Sequence, residues 1–156
     1  MKFLEKLKTN KLKLESELIE REIYRSKRFG YTFSLLVLEV TNSIPRGLSK
    51  LLPGRTLSFH TLQKNLRPYD KIVDSIIRRY YIILPQTDKI NSEKVKSRIL
   101  EIAEHHKWGD INIGISTYLE DGENAKSLLN AAIEYLEDYN FRNFNNDETK
   151  IMLAHA

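Results

Sequence analysis

The centre of the fold is predicted by one stretch, Phe33-Ser34-Leu35-Leu36-Val37-Leu38-Glu39-Val40, in which six of the eight residues are apolar. A continuous apolar run bounded by polar residues and turn formers predicts a strand buried on both faces at the centre of a sheet. A second run, Tyr80-Tyr81-Ile82-Ile83-Leu84, is closed by Pro85 and preceded by Ile72-Val73 and Ile76-Ile77. This arrangement predicts a hairpin of two further strands, although its turn lacks the Asn-Gly signal.

Helical patterns surround these strands. Residues 1–28 predict one long helix, because no Gly or Pro interrupts them before Phe29-Gly30. Residues 57–66 also have helical spacing, and Asn91-Ser92-Glu93 is predicted to cap a helix that runs to about His106. The residues of the later helices predicted to face inward are Leu57, Leu62, Leu66, Val95, Ile99, Ile102, Leu128, Leu129, Ala132, Ile133 and Leu136.

The remaining segments complete an α+β arrangement. Residues 111–115 alternate like a strand, residues 125–139 predict a last helix, and Ile151-Met152-Leu153 is a candidate edge strand. Residues 41–56 are predicted to be irregular, because Pro and Gly break any long element there. The order helix–β–α–β–β–α–β–α mixes antiparallel and crossover connections, so it predicts an α+β sheet with helices on its faces.

Composition and charge exclude several classes of protein. The 156 residues suit one domain, which buries roughly 70% of the unfolded chain's surface. The absence of Cys excludes a disulfide scaffold, a thiolate zinc site and a cysteine nucleophile. The apolar runs fall far short of the roughly 20 residues that span a bilayer. The net charge of +4 is small and interspersed, so we expect a cytoplasmic protein without nucleic-acid binding or membrane insertion.

The first helix carries a coiled-coil-type seam. The seam residues fall on alternating three- and four-residue steps and are Leu4, Leu7, Lys11, Leu14, Leu18, Arg21 and Arg25. The leucines at the front of the seam predict a protruding stalk that forms a homodimer with a second copy. The alternative is that the helix lies on its own domain through Ile19, Ile23 and Phe29.

Common catalytic motifs are absent. Gly47 and Gly54 are spaced wrongly for a phosphate-binding loop, and Arg55 stands where the lysine of such a loop belongs. The sequence has no Gly-x-Gly-x-x-Gly, no Gly-x-Ser-x-Gly and no pair of His at i, i+4. His105 and His106 end a helix, where a cation complements the helix dipole. The residues themselves therefore predict no catalytic group, no metal site and no cofactor.

The order and spacing of these elements resemble the GGDEF family of diguanylate cyclases over residues 18–140. Asp70 is followed by five residues, five signature positions and then residues 82–88, as in the family. The charged helix end at residues 20–30 and Asp121-Gly122-Glu123 also resemble family landmarks. The resemblance implies a nucleotidyl-cyclase-like sheet, close to a ferredoxin-like core.

The family signature itself is replaced. Where the family has Gly-Gly-Asp/Glu-Glu-Phe, this chain has Ile76-Ile77-Arg78-Arg79-Tyr80. By resemblance, the glycines leave room for the nucleotide and the acidic pair serves metal binding and activation of the attacking hydroxyl. Two isoleucines fill that room, and arginine cannot ligate magnesium. Glu39 stands where the family has its first metal-binding aspartate, but the chain is predicted not to be an enzyme.

The side chains of the replaced signature have two interpretations. Consecutive strand residues face opposite sides, so Arg78 and Arg79 are expected at a solvated hairpin tip. The alternative is that they bind phosphates directly in place of metals. Tyr80 and Tyr81 are expected to pack on the sheet.

One family motif is retained. Arg67-Pro68-Tyr69-Asp70 matches the Arg-x-x-Asp product-inhibition site, five residues before the signature. The resemblance implies that Arg67 and Asp70 bind cyclic di-GMP, since a guanidinium donates to a guanine edge or phosphate and a carboxylate accepts guanine N–H groups. The alternative is a solvated Arg–Asp pair at a helix–strand junction.

These observations lead to two hypotheses. The first is a catalytically inactive GGDEF-like signalling domain that is a receptor for cyclic di-GMP, with residues 1–29 as a stalk helix and residues 30–156 as the degenerate domain. The second is a structural protein-interaction domain that binds no nucleotide. By resemblance, family members usually follow a sensor domain, and the stalk-like first helix is compatible with such a domain upstream.

Overall fold

The computed structural model describes residues 2–41, 59–74 and 79–136. The segments predicted as irregular (41–56) and as a C-terminal edge strand (151–153) lie largely or wholly outside these residues. The same holds for Leu57 and for Ile76, Ile77 and Arg78 of the replaced signature.

The centre of the fold is a four-stranded sheet. Its strands are β1 (Phe33–Thr41), β2 (Lys71–Asp74), β3 (Arg79–Pro85) and β4 (Asp110–Thr117), in the spatial order β2-β3-β1-β4. All three pairings are antiparallel. The predicted α+β class and ferredoxin-like strand arrangement are confirmed, as is the hairpin of β2 and β3.

Helices cover both faces of this sheet. They are α1 (Lys2–Phe29), α2 (Phe59–Lys64), α3 (Lys89–His106) and α4 over residues 125–136. Because strand residues alternate between faces, β1 contributes to two separate cores. One core, with α1 and α4, contains Ile19, Ile23, Phe33, Leu35, Val37, Tyr81, Ile83, Leu128, Ala132 and Leu136. The other, with α2 and α3, contains Leu36, Leu38, Val40, Leu62, Ile82, Leu84, Ile99, Ala103, Trp108, Ile113 and Ile115.

The second half of α1 is anchored to the domain. Ile19 and Ile23 are buried in the core. The carboxylate of Glu20 accepts a hydrogen bond from the backbone N–H of Ala125 at 3.0 Å, which satisfies a free donor at the start of α4. The fully buried Glu22 accepts a hydrogen bond from the Tyr31 hydroxyl at 2.9 Å. Burial, followed by this contact with Glu22, raises the pKa of Tyr31.

Three details of the helices differ from the predictions. The cap of α3 is Asp88, whose carboxylate accepts the backbone N–H of Asn91 at 2.9 Å, so the helix begins earlier than the predicted Asn91-Ser92-Glu93 cap. Helix α2 ends at Lys64, earlier than the predicted residue 66, although Leu62 is buried as predicted. Phe29 is 65% exposed instead of lying on the domain, because α1 ends there and Gly30 turns the chain at a φ of +70°.

The first half of α1 presents apolar side chains to solvent. Phe3, Leu4 and Leu14 are 74%, 59% and 48% exposed, whereas Leu18 packs against the core. Of the predicted seam residues, Leu4 and Leu14 are therefore exposed and Leu18 is packed, while Arg21 and Arg25 face solvent. A homodimer through the exposed part stays a prediction.

Candidate functional site

The first candidate site lies where β1 and β3 meet at one end of the sheet. Glu39 on β1 and Arg79 on β3 are directly opposite each other in the strand register. The Nε of Arg79 donates a hydrogen bond to Oε2 of Glu39 at 2.7 Å. Both side chains are partly buried. The retained carboxylate therefore has a guanidinium as its immediate partner.

The electrostatics of this pair keep both charges in place. Burial by itself lowers the pKa of Arg79, but the hydrogen bond and charge of Glu39 outweigh that effect, and the pKa is raised overall. Arginine stays protonated at every working pH, so the positive charge is permanent. The neighbouring Tyr81 has its pKa raised, first by burial and then by the charge of Glu15.

In this pair, the guanidinium of Arg79 occupies the position beside the Glu39 carboxylate where a metal cation would otherwise balance its charge. Magnesium is held by oxygen ligands, and a guanidinium only donates hydrogen bonds. Among residues 2–41, 59–74 and 79–136, no group of three or more His, Cys, Asp or Glu is placed to hold a metal ion. The oxygen of Glu39 that points to Arg79 is already neutralised.

The structure corrects one expectation for the replaced signature and confirms another. Arg79 is not at a solvated tip, because it is ion-paired and its side chain is 29% exposed. Tyr81 is buried and Tyr80 packs against the core, so the prediction of sheet packing for both is confirmed. The pairing with Glu39 was missed because it depends on the register between two strands. The opposite charges of Glu39 and Arg79 indicate an ion pair once the register between β1 and β3 is known.

The second candidate site is the Arg67–Asp70 turn before β2. Asp70 Oδ2 accepts the backbone N–H of Arg67 at 2.8 Å and also Nε of Arg67 at 3.4 Å. The backbone N–H of Asp70 donates to the Arg67 carbonyl at 3.0 Å. The two residues thus close the turn between α2 and β2 on each other. The Asp70 side chain is 1% exposed, while that of Arg67 is 38% exposed.

Arg67 also contacts the turn that follows β3. Its Nη2 donates to the carbonyl of Pro85 at 3.1 Å and to the hydroxyl of Thr87. These two acceptors are not evident from the sequence, because they lie about 20 residues away along the chain. The solvated-pair alternative is therefore wrong for Asp70, which is buried, and incomplete for Arg67, which braces a second turn.

One oxygen of Asp70 lacks a hydrogen-bond donor within the described part of the chain. Oδ1 lies 3.2 Å from Nη2 of Arg67, but both hydrogens of Nη2 are directed to Pro85 and Thr87. The contact is therefore an attraction of charges without a hydrogen bond, and Oδ1 is a buried acceptor that no donor satisfies. A buried acceptor in this state costs free energy that an added donor recovers.

A cleft of about 340 Å³ lies beside this turn. Its walls include Leu18 of α1, Phe59 and Leu66 around α2, and Arg67 and Asp70 themselves. The guanidinium of Arg67 stacks on the ring of Tyr69, 4.7 Å from the ring centre. Among the described residues, Nη1 of Arg67 has no acceptor, so its hydrogens are available to a ligand.

Comparisons with known proteins bear on the fold. No protein-family model and no curated protein sequence matches the chain. The structure is similar to the isolated GGDEF domain of PA1120 (TpbB or YfiN) from Pseudomonas aeruginosa, with a TM-score of 0.62 and 14% identity, over 80% of this chain and 79% of that one. It is also similar to the active GGEEF domain of a Vibrio cholerae diguanylate cyclase, with a TM-score of 0.60 and 13% identity, over 76% and 82% of the two chains.

A third similar structure is the diguanylate cyclase SiaD from Pseudomonas aeruginosa in complex with its activator SiaC. The TM-score is 0.63 at 19% identity, and the match covers 81% of this chain and 53% of the SiaD chain. The chain therefore has the fold of a GGDEF domain, which confirms the resemblance seen in the sequence at the level of the fold. Among the described residues, no helix has the length and apolar character needed to cross a membrane.

Proposed function

We propose that this chain is a catalytically inactive GGDEF-fold signalling domain that acts by binding instead of by chemistry. The observation that carries the proposal is the 2.7 Å ion pair between Arg79 and Glu39. Glu39 is the one carboxylate retained at a family metal position, and its charge is neutralised by the arginine that replaced an acidic residue of the signature.

The physical argument concerns the charge that phosphoryl transfer needs. Catalysis of this reaction consists almost entirely of positioning and of stabilising the charge on the phosphoryl oxygens, largely by metal ions. Exchange of two acidic signature residues for Arg78 and Arg79 changes the local formal charge from −2 to +2. A metal ion is then repelled where the family attracts one, and the attacking hydroxyl has no base.

Titration calorimetry with GTP tests the loss of the metal-dependent site. We expect the heat of GTP addition in Mg²⁺ to equal that in excess EDTA, because residues 2–41, 59–74 and 79–136 contain no carboxylate cluster that could hold the metal. An active GGDEF domain, titrated in the same buffers, provides the positive control. Saturable GTP binding that requires Mg²⁺ contradicts the proposal.

For the ligand, we propose cyclic di-GMP at Arg67 and Asp70. Two observations support it beside the retained motif: Nη1 of Arg67 is available, and Asp70 Oδ1 is a buried acceptor without a donor. The N–H groups of a guanine edge are donors of the kind that this oxygen lacks. Since Asp70 is covered, the guanidinium must move off the carboxylate when the ligand enters.

The alternative proposal is a protein-interaction domain that binds no nucleotide. The observation that favours it is the number of internal acceptors of Arg67: Asp70, Pro85 and Thr87. The similar SiaD structure contains a protein activator, so a protein partner is compatible with this fold. Titration with cyclic di-GMP separates the two, because this alternative predicts no heat of binding.

The exposed front of α1 supports a further part of the proposal. We propose that Leu4 and Leu14 are covered by a second copy of the chain, since exposed apolar side chains at seam spacing are stabilised by such pairing. Deletion of residues 1–14 is expected to shift the sedimenting mass from dimer to monomer, and an unchanged mass rejects the dimer. We also propose a cytoplasmic location.

A further inference from the structure

A row of polar groups crosses the end of the sheet opposite Glu39 and Arg79. It consists of Arg67 before β2, Thr87 after β3, Ser34 in β1 and Thr117 in β4, and we call it the polar row. These residues follow the spatial order of the strands, β2-β3-β1-β4. Ser34, Thr87 and Thr117 are each at most 3% exposed. Polar groups buried to this degree depend on one another for their hydrogen bonds.

The donors of the polar row can be assigned because each hydroxyl has one hydrogen. Thr87 Oγ1 accepts from Arg67 and donates to the Pro85 carbonyl at 3.0 Å. Ser34 Oγ donates to the Thr87 carbonyl at 2.9 Å. That bond uses the hydrogen of Ser34, so Thr117 Oγ1 is the donor in the 3.0 Å contact between the two hydroxyls. The two halves of the row meet at Thr87, whose hydroxyl accepts from Arg67 while its backbone carbonyl accepts from Ser34. The Ser34 hydroxyl in turn accepts from Thr117.

At the far end of the polar row, the backbone of Thr117 is hydrogen-bonded to the loop between β4 and α4. The backbone N–H of Thr117 donates to Asp121 Oδ2 at 2.8 Å, and the N–H of Asp121 donates to the Thr117 carbonyl at 2.9 Å. Lys89 pairs with Asp121 at 3.3 Å. The loop presents Leu119, which is 64% exposed and has a φ of +75°. A leucine in the left-handed region is strained, so the loop depends on these bonds for its shape.

We propose that the polar row couples the Arg67 site to the loop over residues 118–122. When the guanidinium leaves Thr87, that residue loses the bond that fixes its side chain, and its backbone carbonyl shifts relative to the Ser34 hydroxyl. The Ser34 and Thr117 hydroxyls then rearrange, and the loop opens more often. The inference rests on the proposed function for the identity of the ligand that moves Arg67. It adds that the surface around Leu119 changes in response to occupancy of the Arg67 site.

Amide hydrogen exchange, measured by NMR on the full chain, tests the coupling without any ligand. The variants are Arg67→Ala, Thr117→Val, which keeps the shape and removes the hydroxyl, and their combination. Arg67→Ala is expected to accelerate exchange at Leu119 and Asp121 about fivefold, the effect of one buried hydrogen bond. In the Thr117→Val background, Arg67→Ala is expected to add no further acceleration.

Two results overturn the coupling. One is unchanged exchange at Leu119 and Asp121 in Arg67→Ala, and the other is the same acceleration with and without the Thr117 hydroxyl. Arg98→Ala on the exposed side of α3 controls for loss of an arginine. If Arg67→Ala does not fold, Arg67→Lys replaces it, since lysine retains the charge and lacks the planar fork.

The same exchange measurement with cyclic di-GMP added distinguishes failure of this inference from failure of the proposed function. Absence of cyclic di-GMP binding rejects the receptor, while the exchange experiment still decides the coupling. If the ligand binds, exchange at Leu119 is expected to change in the wild type and to stay constant in Thr117→Val. A ligand-induced change of equal size in both proteins overturns the coupling.

Discussion

Gly114→Ala is expected to lower the free energy of unfolding by about 3 kcal/mol or more. Gly114 lies in β4 where the backbone of α4 crosses it, and a Cβ added there would come within 2.0 Å of the carbonyl oxygen of Ala132. The obstacle is backbone, so no change of rotamer relieves it. Either α4 moves away from the sheet or β4 separates from β1, and both expose the core around Leu136.

Denaturant unfolding of the purified variant measures this effect. Ser97→Ala, on the exposed side of α3, is the control and is expected to change stability by less than about 0.5 kcal/mol. Alanine in place of glycine usually stabilises a strand, so the sign of the effect is informative. A Gly114→Ala variant as stable as the wild type would show that α4 does not approach β4 as described.

Arg67→Ala is expected to weaken binding of cyclic di-GMP at least about 100-fold. A guanidinium that forms two charge-assisted hydrogen bonds to the ligand contributes about 3 kcal/mol, which corresponds to that factor. Titration calorimetry measures the affinity. Arg98→Ala removes an arginine from a helix surface away from the cleft and is expected to bind as the wild type does.

The structural role of Arg67 requires a second variant. Arg67 also braces the Pro85 carbonyl and Thr87, so Arg67→Ala is expected to lower the melting temperature as well. Asp70→Asn leaves the turn the same size and removes the carboxylate that accepts guanine N–H groups, and it is expected to lose binding too. Retention of wild-type affinity in both variants means that cyclic di-GMP does not bind at this turn.

The central strands were predictable because burial on both faces leaves a clear pattern. The middle of β1 (residues 35–38) and of β3 (residues 80–84) is apolar without interruption, and no local signal competes with that pattern. Helix ends were less predictable, because Asp88 and Asn91-Ser92-Glu93 are both plausible caps and packing of the rest of α3 decides between them. The exposure of Phe29 depends on where the chain turns after α1, which an apolar residue does not reveal.

The residues of the candidate site can be named from the sequence, whereas their contacts cannot. The spacing of Arg67, Asp70 and the replaced signature is a property of the sequence and needs no coordinates. The partners of Arg67 and Arg79 are set by strand order and register, which bring Thr87 and Glu39 to them. Pairings across strands are therefore the part of the site that the sequence conceals.

Incubation of the chain with GTP and Mg²⁺ tests the proposal that the domain is catalytically inactive. The reaction is followed by chromatography for any linear or cyclic guanine dinucleotide, with an active GGDEF domain as the positive control. Because Arg79 neutralises the charge of Glu39, we predict no product above a protein-free blank at any concentration of the chain. Formation of cyclic di-GMP in proportion to the amount of protein would show instead that the domain is an active cyclase.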